Sequence, residues 1–137
     1  NDLTPLSELT SLEWLILNHN KIIDLSPLKE LVKLKGLYLS YNEVNDIRPL
    51  EKLVNMEILK LDSNKISSIE PIKNLQKLSR LRLSHNNISD ISPLTSINAS
   101  DRNLSIWLTD NPLDLSTTSV NMKNIQEMRD RLIRVKY

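Results

Sequence analysis

A fixed step of 22 residues constrains this chain more than any other property. Asn20, Asn42, Asn64 and Asn86 keep that step. So do Leu12, Leu34, Met56 and Leu78, as well as Leu15, Leu37, Leu59, Leu81 and Leu17, Leu39, Leu61, Leu83. Behind each Asn come Ile22, Val44, Ile66 and Ile88, then Leu25, Ile47, Ile69 and Ile91. Prolines follow at Pro27, Pro49, Pro71 and Pro93, with Leu28, Leu50, Ile72 and Leu94 after them. Leu31, Leu53 and Leu75 close each unit, with Ile97 in the fourth. The unit reads LxxLxLxxNxIxDIxPLxxLxx. A period of this length marks a solenoid, whose units bury their apolar faces only against their neighbours.

Composition narrows the function classes. The 137 residues are a single domain's worth, with 26 Leu, 14 Ile, no Phe and one Gly. One glycine argues against a nucleotide-binding fold, which needs several for phosphate loops and tight turns. The absence of Cys excludes disulfides, thiol catalysis and Cys-ligated metals. With 18 basic and 17 acidic residues the net charge is +1, which gives no electrostatic reason to expect nucleic acid or an anionic membrane as partner. No apolar run reaches the length of a membrane span.

The physics of the unit follows residue by residue. In LxxLxL the fourth and sixth positions share strand parity and point into the core. The turn after the strand leaves backbone groups in the interior. An Asn side chain offers both donor and acceptor, so Asn20, Asn42, Asn64, Asn86 and Asn111 are expected to form a ladder across neighbouring turns. Proline at the opening of a helical turn fixes φ and lacks an N–H that would be unpaired there. Ser26 and Ser92 are the N-cap candidates, whereas Arg48 and Glu70 cap poorly. With one Gly, the repeats are expected to turn on Asn and Pro.

Segments such as Leu12-Glu-Trp-Leu-Ile-Leu-Asn-His-Asn20 and Asp90-Ile-Ser-Pro-Leu94 resemble leucine-rich repeats, in particular the 22-residue bacterial type of internalins. The resemblance covers roughly residues 1–115. It implies an α/β right-handed solenoid, with a parallel sheet on the concave face and 3₁₀ or short helical segments on the convex face. It also implies a protein–protein interaction module with a protein partner, no cofactor and no metal, in an exported bacterial surface or secreted protein. The alternatives are a regulatory subunit of a cytosolic enzyme, similar to the leucine-rich-repeat regulator of protein phosphatase, a targeting arm fused to an enzyme, or a structural spacer.

Both ends of the array are informative. Residues 2–9 align with 24–31, so the chain opens inside a repeat. The expectation is a partial repeat over 1–11, repeats starting near 12, 34, 56, 78 and 103, and a first layer covered by preceding repeats or by another chain. Asn111 follows Asn86 by 25 residues, and the extra length is assigned to a bulge within Thr95–Asn103. Leu113 and Leu115 are expected to continue the inward pattern. Met122, Ile125, Met128 and Leu132 make one apolar helical stripe, and Ile133, Val135 and Tyr137 alternate as in a short strand. Residues 117–137 are therefore read as a C-terminal cap, after repeats spanning 1–116.

No catalytic constellation emerges. His19 and His85 occupy one repeat position three turns apart, too far to share a metal. Ser84 and His85 are neighbours on a strand and point to opposite faces. Three Asn-x-Ser matches carry no weight in so Asn- and Ser-rich a chain. The strand positions between core leucines are more telling, because they face outward on the concave side. They are Trp14, Ile16, Asn18; Gly36, Tyr38, Ser40; Ile58, Lys60, Asp62; Arg80, Arg82, Ser84; and Ser105, Trp107, Thr109. Of five aromatic residues, three fall here. Large aromatics and Arg are enriched at binding hot spots. The partner-binding set is therefore Trp14, Ile16, Tyr38, Ile58, Lys60, Arg80, Arg82 and Trp107. The competing reading makes Ile16 and Tyr38 ordinary cross-strand pairs and packs Trp14 on preceding repeats.

Overall fold

The computed structural model describes residues 2–98 and 103–137. Six strands, each three residues long, form one sheet in chain order: β1 (Trp14–Ile16), β2 (Gly36–Tyr38), β3 (Ile58–Lys60), β4 (Arg80–Arg82), β5 (Ser105–Trp107) and β6 (Arg134–Lys136). Every pairing is parallel. The register follows from burial. Leu15, Leu37, Leu59, Leu81, Ile106 and Val135 stand opposite one another at the strand centres, and a slip of one residue would turn that row to solvent.

The opposite side is built from 3₁₀ turns at Thr4–Leu6, Ser26–Leu28, Arg48–Leu50, Glu70–Asn74 and Ser92–Ser96. Each carries proline in its first turn. Stacked strands need only about 4.8 Å per repeat, less than a helical turn requires, so the sheet takes the concave side. Between the two sides lies a single core. Leu28, Leu31, Leu34, Leu37 and Leu39 of one repeat, with their equivalents in the next two, are 0–1 % exposed.

The turns are capped differently from expectation. No side chain of Ser26 or Ser92 caps its own 3₁₀ segment. Instead the Asp two residues earlier accepts the backbone N–H. Ser26 N donates to Asp24 Oδ1 at 2.8 Å, Arg48 N to Asp46 Oδ1 at 2.9 Å, and Ser92 N to Asp90 Oδ1 at 2.8 Å. Asp2 and Asp114 do the same for Thr4 and Ser116. This is the local Asx bond that a carboxylate offers to a turn. The side-chain and then the backbone hydrogen bond of Ser26 hold the Asp24 carboxyl below its ordinary range. The Arg48 guanidinium, with the Arg48 backbone N–H, does so for Asp46.

The tight bend after each strand does not use Asn or Pro either. His19, Tyr41, Ser63, His85 and Asp110, each one residue before a ladder Asn, adopt the left-handed conformation at φ 54–60°. Non-glycine residues carry a conformational cost there, offset by the bonds that the following Asn makes.

At the C-terminal end, Ser119 Oγ accepts from Met122 N at 3.1 Å and starts helix α1 (Val120–Asp130). Ile125, Met128 and Asn121 are buried, Asn121 Nδ2 donates to Ser89 O of the fourth repeat at 2.9 Å, and α1 packs on that repeat's Ser92–Ser96 turn. Leu132 does not continue the stripe. The helix has ended, Leu132 turns the chain at φ 62°, and its side chain is 75 % exposed. Leu115 is likewise exposed, because Asp114 and Ser116 have already turned the chain out of the repeat register. β6 then returns to the sheet beside β5. Residues 99–102, within the bulge expected over Thr95–Asn103, lie outside the described residues. Beside it, Leu104 rather than Asn103 enters the core at 0 % exposure.

Candidate partner-binding face

The concave sheet presents its side chains in rows that cross the strands. The first row runs Trp14, Gly36, Ile58, Arg80, Ser105, Arg134, and the second Ile16, Tyr38, Lys60, Arg82, Trp107, Lys136. Parity sets this arrangement, since the central residue of every strand is committed to the core. All eight residues of the partner-binding set lie on these two rows. Trp14, Ile16 and Arg80 are exposed, and Tyr38, Ile58, Lys60, Arg82 and Trp107 are half-buried.

Gly36 is buried rather than outward-facing. The indole of Trp14 lies over it, so closely that a Cβ there would sit 2.1 Å from Trp14 Cε3. The glycine φ is not positive, so close approach and not backbone freedom calls for glycine here. Trp14 therefore packs forward onto the second repeat while remaining 47 % exposed.

Ser40, Asp62 and Ser84, expected to face outward, are buried as well. They lie where the strand gives way to the turn, and their polar atoms bond across repeats. Asn18 Oδ1 accepts from Ser40 N at 2.9 Å, and Ser40 Oγ donates to Asp62 Oδ2 at 3.3 Å. Asp62 Oδ1 accepts from Ser84 N at 3.2 Å, and Thr109 Oγ1 donates to Ser84 Oγ at 2.9 Å. Arg82 Nε lies 2.7 Å from Asp62 Oδ2, an ion-pair contact not aligned as a hydrogen bond. Ser40, Lys60, Asp62, Arg82, Ser84 and Trp107 line an open groove of about 330 Å³.

Aromatic and cationic groups are interleaved on the second row. Lys60 Nζ sits 4.7 Å from the centre of the Tyr38 ring. Trp107 has Arg82 at 5.7 Å and Lys136 at 5.8 Å from its ring centre. Such contacts hold flexible cations against rigid rings. Arg134 and Lys136 belong to this face too, although they lie outside the 22-residue step. The alternation of Ile133 and Val135 was the available signal, since it forces Arg134 and Lys136 outward once β6 joins the sheet.

Beneath the face runs the Asn ladder. Asn64 Nδ2 donates to Leu39 O of the preceding repeat at 3.0 Å and to Leu61 O at 3.1 Å, while its Oδ1 accepts from Val44 N at 2.9 Å. Asn42, Asn86 and Asn111 repeat this pattern. Asn20 is exposed, and its amide donates within its own turn, to Leu17 O and Asn18 O. His19 stacks on Tyr41 at 4.4 Å, and His85 Nε2 stands 3.4 Å from Asp110 Oδ2 at the rim. Among the described residues, no group of three or more His, Asp or Glu side chains could hold a metal ion. No helix among them is long and apolar enough to cross a membrane.

An open parallel sheet with one 3₁₀ turn per repeat and an Asn ladder defines the solenoid class of repeat proteins. Comparison with known proteins makes the family specific. Leucine Rich repeats (2 copies) match residues 10–52 and 32–74, and Leucine Rich Repeat matches 77–99, together well over half of the chain. The chain belongs to the leucine-rich repeat family, and within it is internalin-like. Internalin C2 of Listeria monocytogenes is 33% identical over 99% of this chain, with a TM-score of 0.81. A second Listeria internalin is 28% identical over 96%, with a TM-score of 0.65. A leucine-rich repeat protein of Leptospira interrogans, 20% identical over 96% at a TM-score of 0.69, shares the fold. The chain spans 54% and 49% of the two internalin chains and 38% of the Leptospira one. No curated protein sequence matches it significantly.

Proposed function

We propose that this chain is a non-catalytic recognition module that binds a protein partner on its concave face, within an exported bacterial protein. The observation that carries this reading is the concentration of Trp14, Ile16, Tyr38, Ile58 and Trp107 on one sheet face. The core leucines are spent inward, yet Trp14 and Ile16 remain 47 % and 68 % exposed. Exposed apolar clusters of this kind mark interaction surfaces, and aromatic and Arg side chains carry most binding energy. Likeness to the Listeria internalins supports an exported parent. Fold alone does not choose the partner, because the outward residues are free of the packing constraints that fix the inward ones.

The test is selection of binders from an unbiased displayed-peptide library on the intact chain. The best binder is then measured against Trp14→Ala, Tyr38→Ala and Arg80→Ala. Each substitution is expected to weaken binding more than about tenfold, about 1.4 kcal/mol, while the chain still folds and melts cooperatively. Arg82→Ala is set apart, because it also strips the buried Asp62 of its cation and is expected to lower stability. Equal binding by the three surface variants overturns the concave-face reading.

A further inference from the structure

The concave face is divided by charge. Its first strands present Trp14, Ile16, Tyr38 and Ile58. Its last present Arg80, Arg82, Arg134 and Lys136, with Lys60 at the boundary. Only Arg82 of these five cations has a carboxylate partner among the described residues, the buried Asp62. Elsewhere on the surface several cations do have carboxylate partners, as in Lys35 with Glu13, Arg48 with Asp46, Lys65 with Glu43 and Lys73 with Glu70. Five cations against one carboxylate leave this patch at +4, although the whole chain is only +1.

We infer that the basic half of the face, Lys60, Arg80, Arg134 and Lys136 around Trp107, receives an acidic polypeptide segment of the partner. The inference rests on the concave-face reading and specifies the chemistry of the occupant. Neighbouring strands are about 4.8 Å apart, so each of these cations lies within about one Debye length of the next along the face and their fields add. Such a cluster repels itself until an opposite charge arrives, and it steers an acidic partner to the face. Trp107, held between Arg82 and Lys136, gives an apolar plate beside the carboxylate sites. A polypeptide fits better than a polyanion. Ile16, Tyr38 and Ile58 continue the surface and suit apolar side chains, and Asp62 sits in the groove where a phosphate or sulfate chain would pass.

The experiment measures binding of four labelled probes to the intact chain. They are a Glu-rich peptide interspersed with Leu and Tyr, the same peptide with Lys for every Glu, a heparin oligosaccharide and single-stranded DNA. The Glu peptide is expected to bind at least about tenfold more tightly than the Lys peptide, and to weaken as salt rises. The double variant Arg80→Glu, Arg134→Glu is expected to lose that binding by a similar factor while melting as the parent chain does. Equal binding of the two peptides, or indifference to charge reversal, overturns the inference. Tighter binding of heparin or DNA overturns the choice of a polypeptide. The peptide selected without bias separates the two levels. If it depends on Trp14 and Tyr38 but not on charge reversal, the acidic preference fails and the concave face stands. If it ignores all of these residues, both fail.

Discussion

Two sets of positions on the same six strands obey opposite rules. The central residues Leu37, Leu59 and Leu81 are identical from repeat to repeat and fully buried. Their immediate neighbours differ at every strand. In the first row they are Trp14, Gly36, Ile58 and Arg80, and in the second Ile16, Tyr38, Lys60 and Arg82. A layer one repeat thick admits little variation inside, whereas the outer side meets solvent and is free to be specified for recognition. The comparison teaches that stability is written on the inward residues and leaves the outward ones free for the proposed partner recognition, and substitutions should separate the two.

The sharpest separation is expected at Leu59. Leu59→Ala opens a cavity in a layer packed on both sides and should cost about 2–5 kcal/mol in chemical denaturation. Next comes the ladder. Asn64→Leu removes the side chain that serves Leu39 O, Leu61 O and Val44 N, leaving buried backbone groups unpaired at about 1–3 kcal/mol. Asn20→Leu should cost less, because Asn20 is exposed and bonds only inside its own turn. Equal losses at the two sites would break the account of the ladder as an inter-repeat device.

At Gly36, buried beneath the indole, alanine should act on Trp14 and hardly on stability. The added methyl must displace the indole, so tryptophan emission should shift while the unfolding free energy changes by less than about 1 kcal/mol. Unchanged emission would show that the ring does not lie over the glycine. The smallest effect is expected from the turn caps. Asp24 and Asp46 titrate below their ordinary range in the folded chain. The stability they add is therefore fully present above that range and is lost as pH falls through the lowered folded values, beneath about 3.8. Melting should be flat from neutral pH down to the ordinary carboxylate range and decline below it. Asp24→Ala, Asp46→Ala together should flatten part of that decline.

The inward half of this molecule was legible because periodicity is a property of sequence. The leucine columns and the 22-residue step place each repeat without reference to coordinates. Several outward details were hidden for physical reasons. Strand parity holds only over the three pleated residues, so extending it places Ser40, Asp62 and Ser84 on the surface where the incipient turn buries them. Asp24 and Asp46 stand in the consensus, but helical capping rules point to Ser26, because a helical N-cap and an Asx bond to a 3₁₀ turn place their oxygens two residues apart. Leu132 kept helical spacing, and spacing cannot register the left-handed turn that ends α1. Arg134 and Lys136 were missed because β6 lies outside the 22-residue step and only the fold brings Val135 beside Ile106.

The central claim is that partner recognition belongs to the concave face, and side-chain oxidation footprinting tests it most directly. Hydroxyl radicals mark exposed aromatics, and the chain carries its own control. Trp14, Tyr38 and Trp107 lie on the sheet face, whereas Tyr137 lies against Arg129 of α1, whose side chain is 5.1 Å from its ring centre. With the selected peptide bound, oxidation of Trp14, Tyr38 and Trp107 should fall while that of Tyr137 stays constant. Protection of Tyr137 with the three sheet aromatics unchanged would contradict the account.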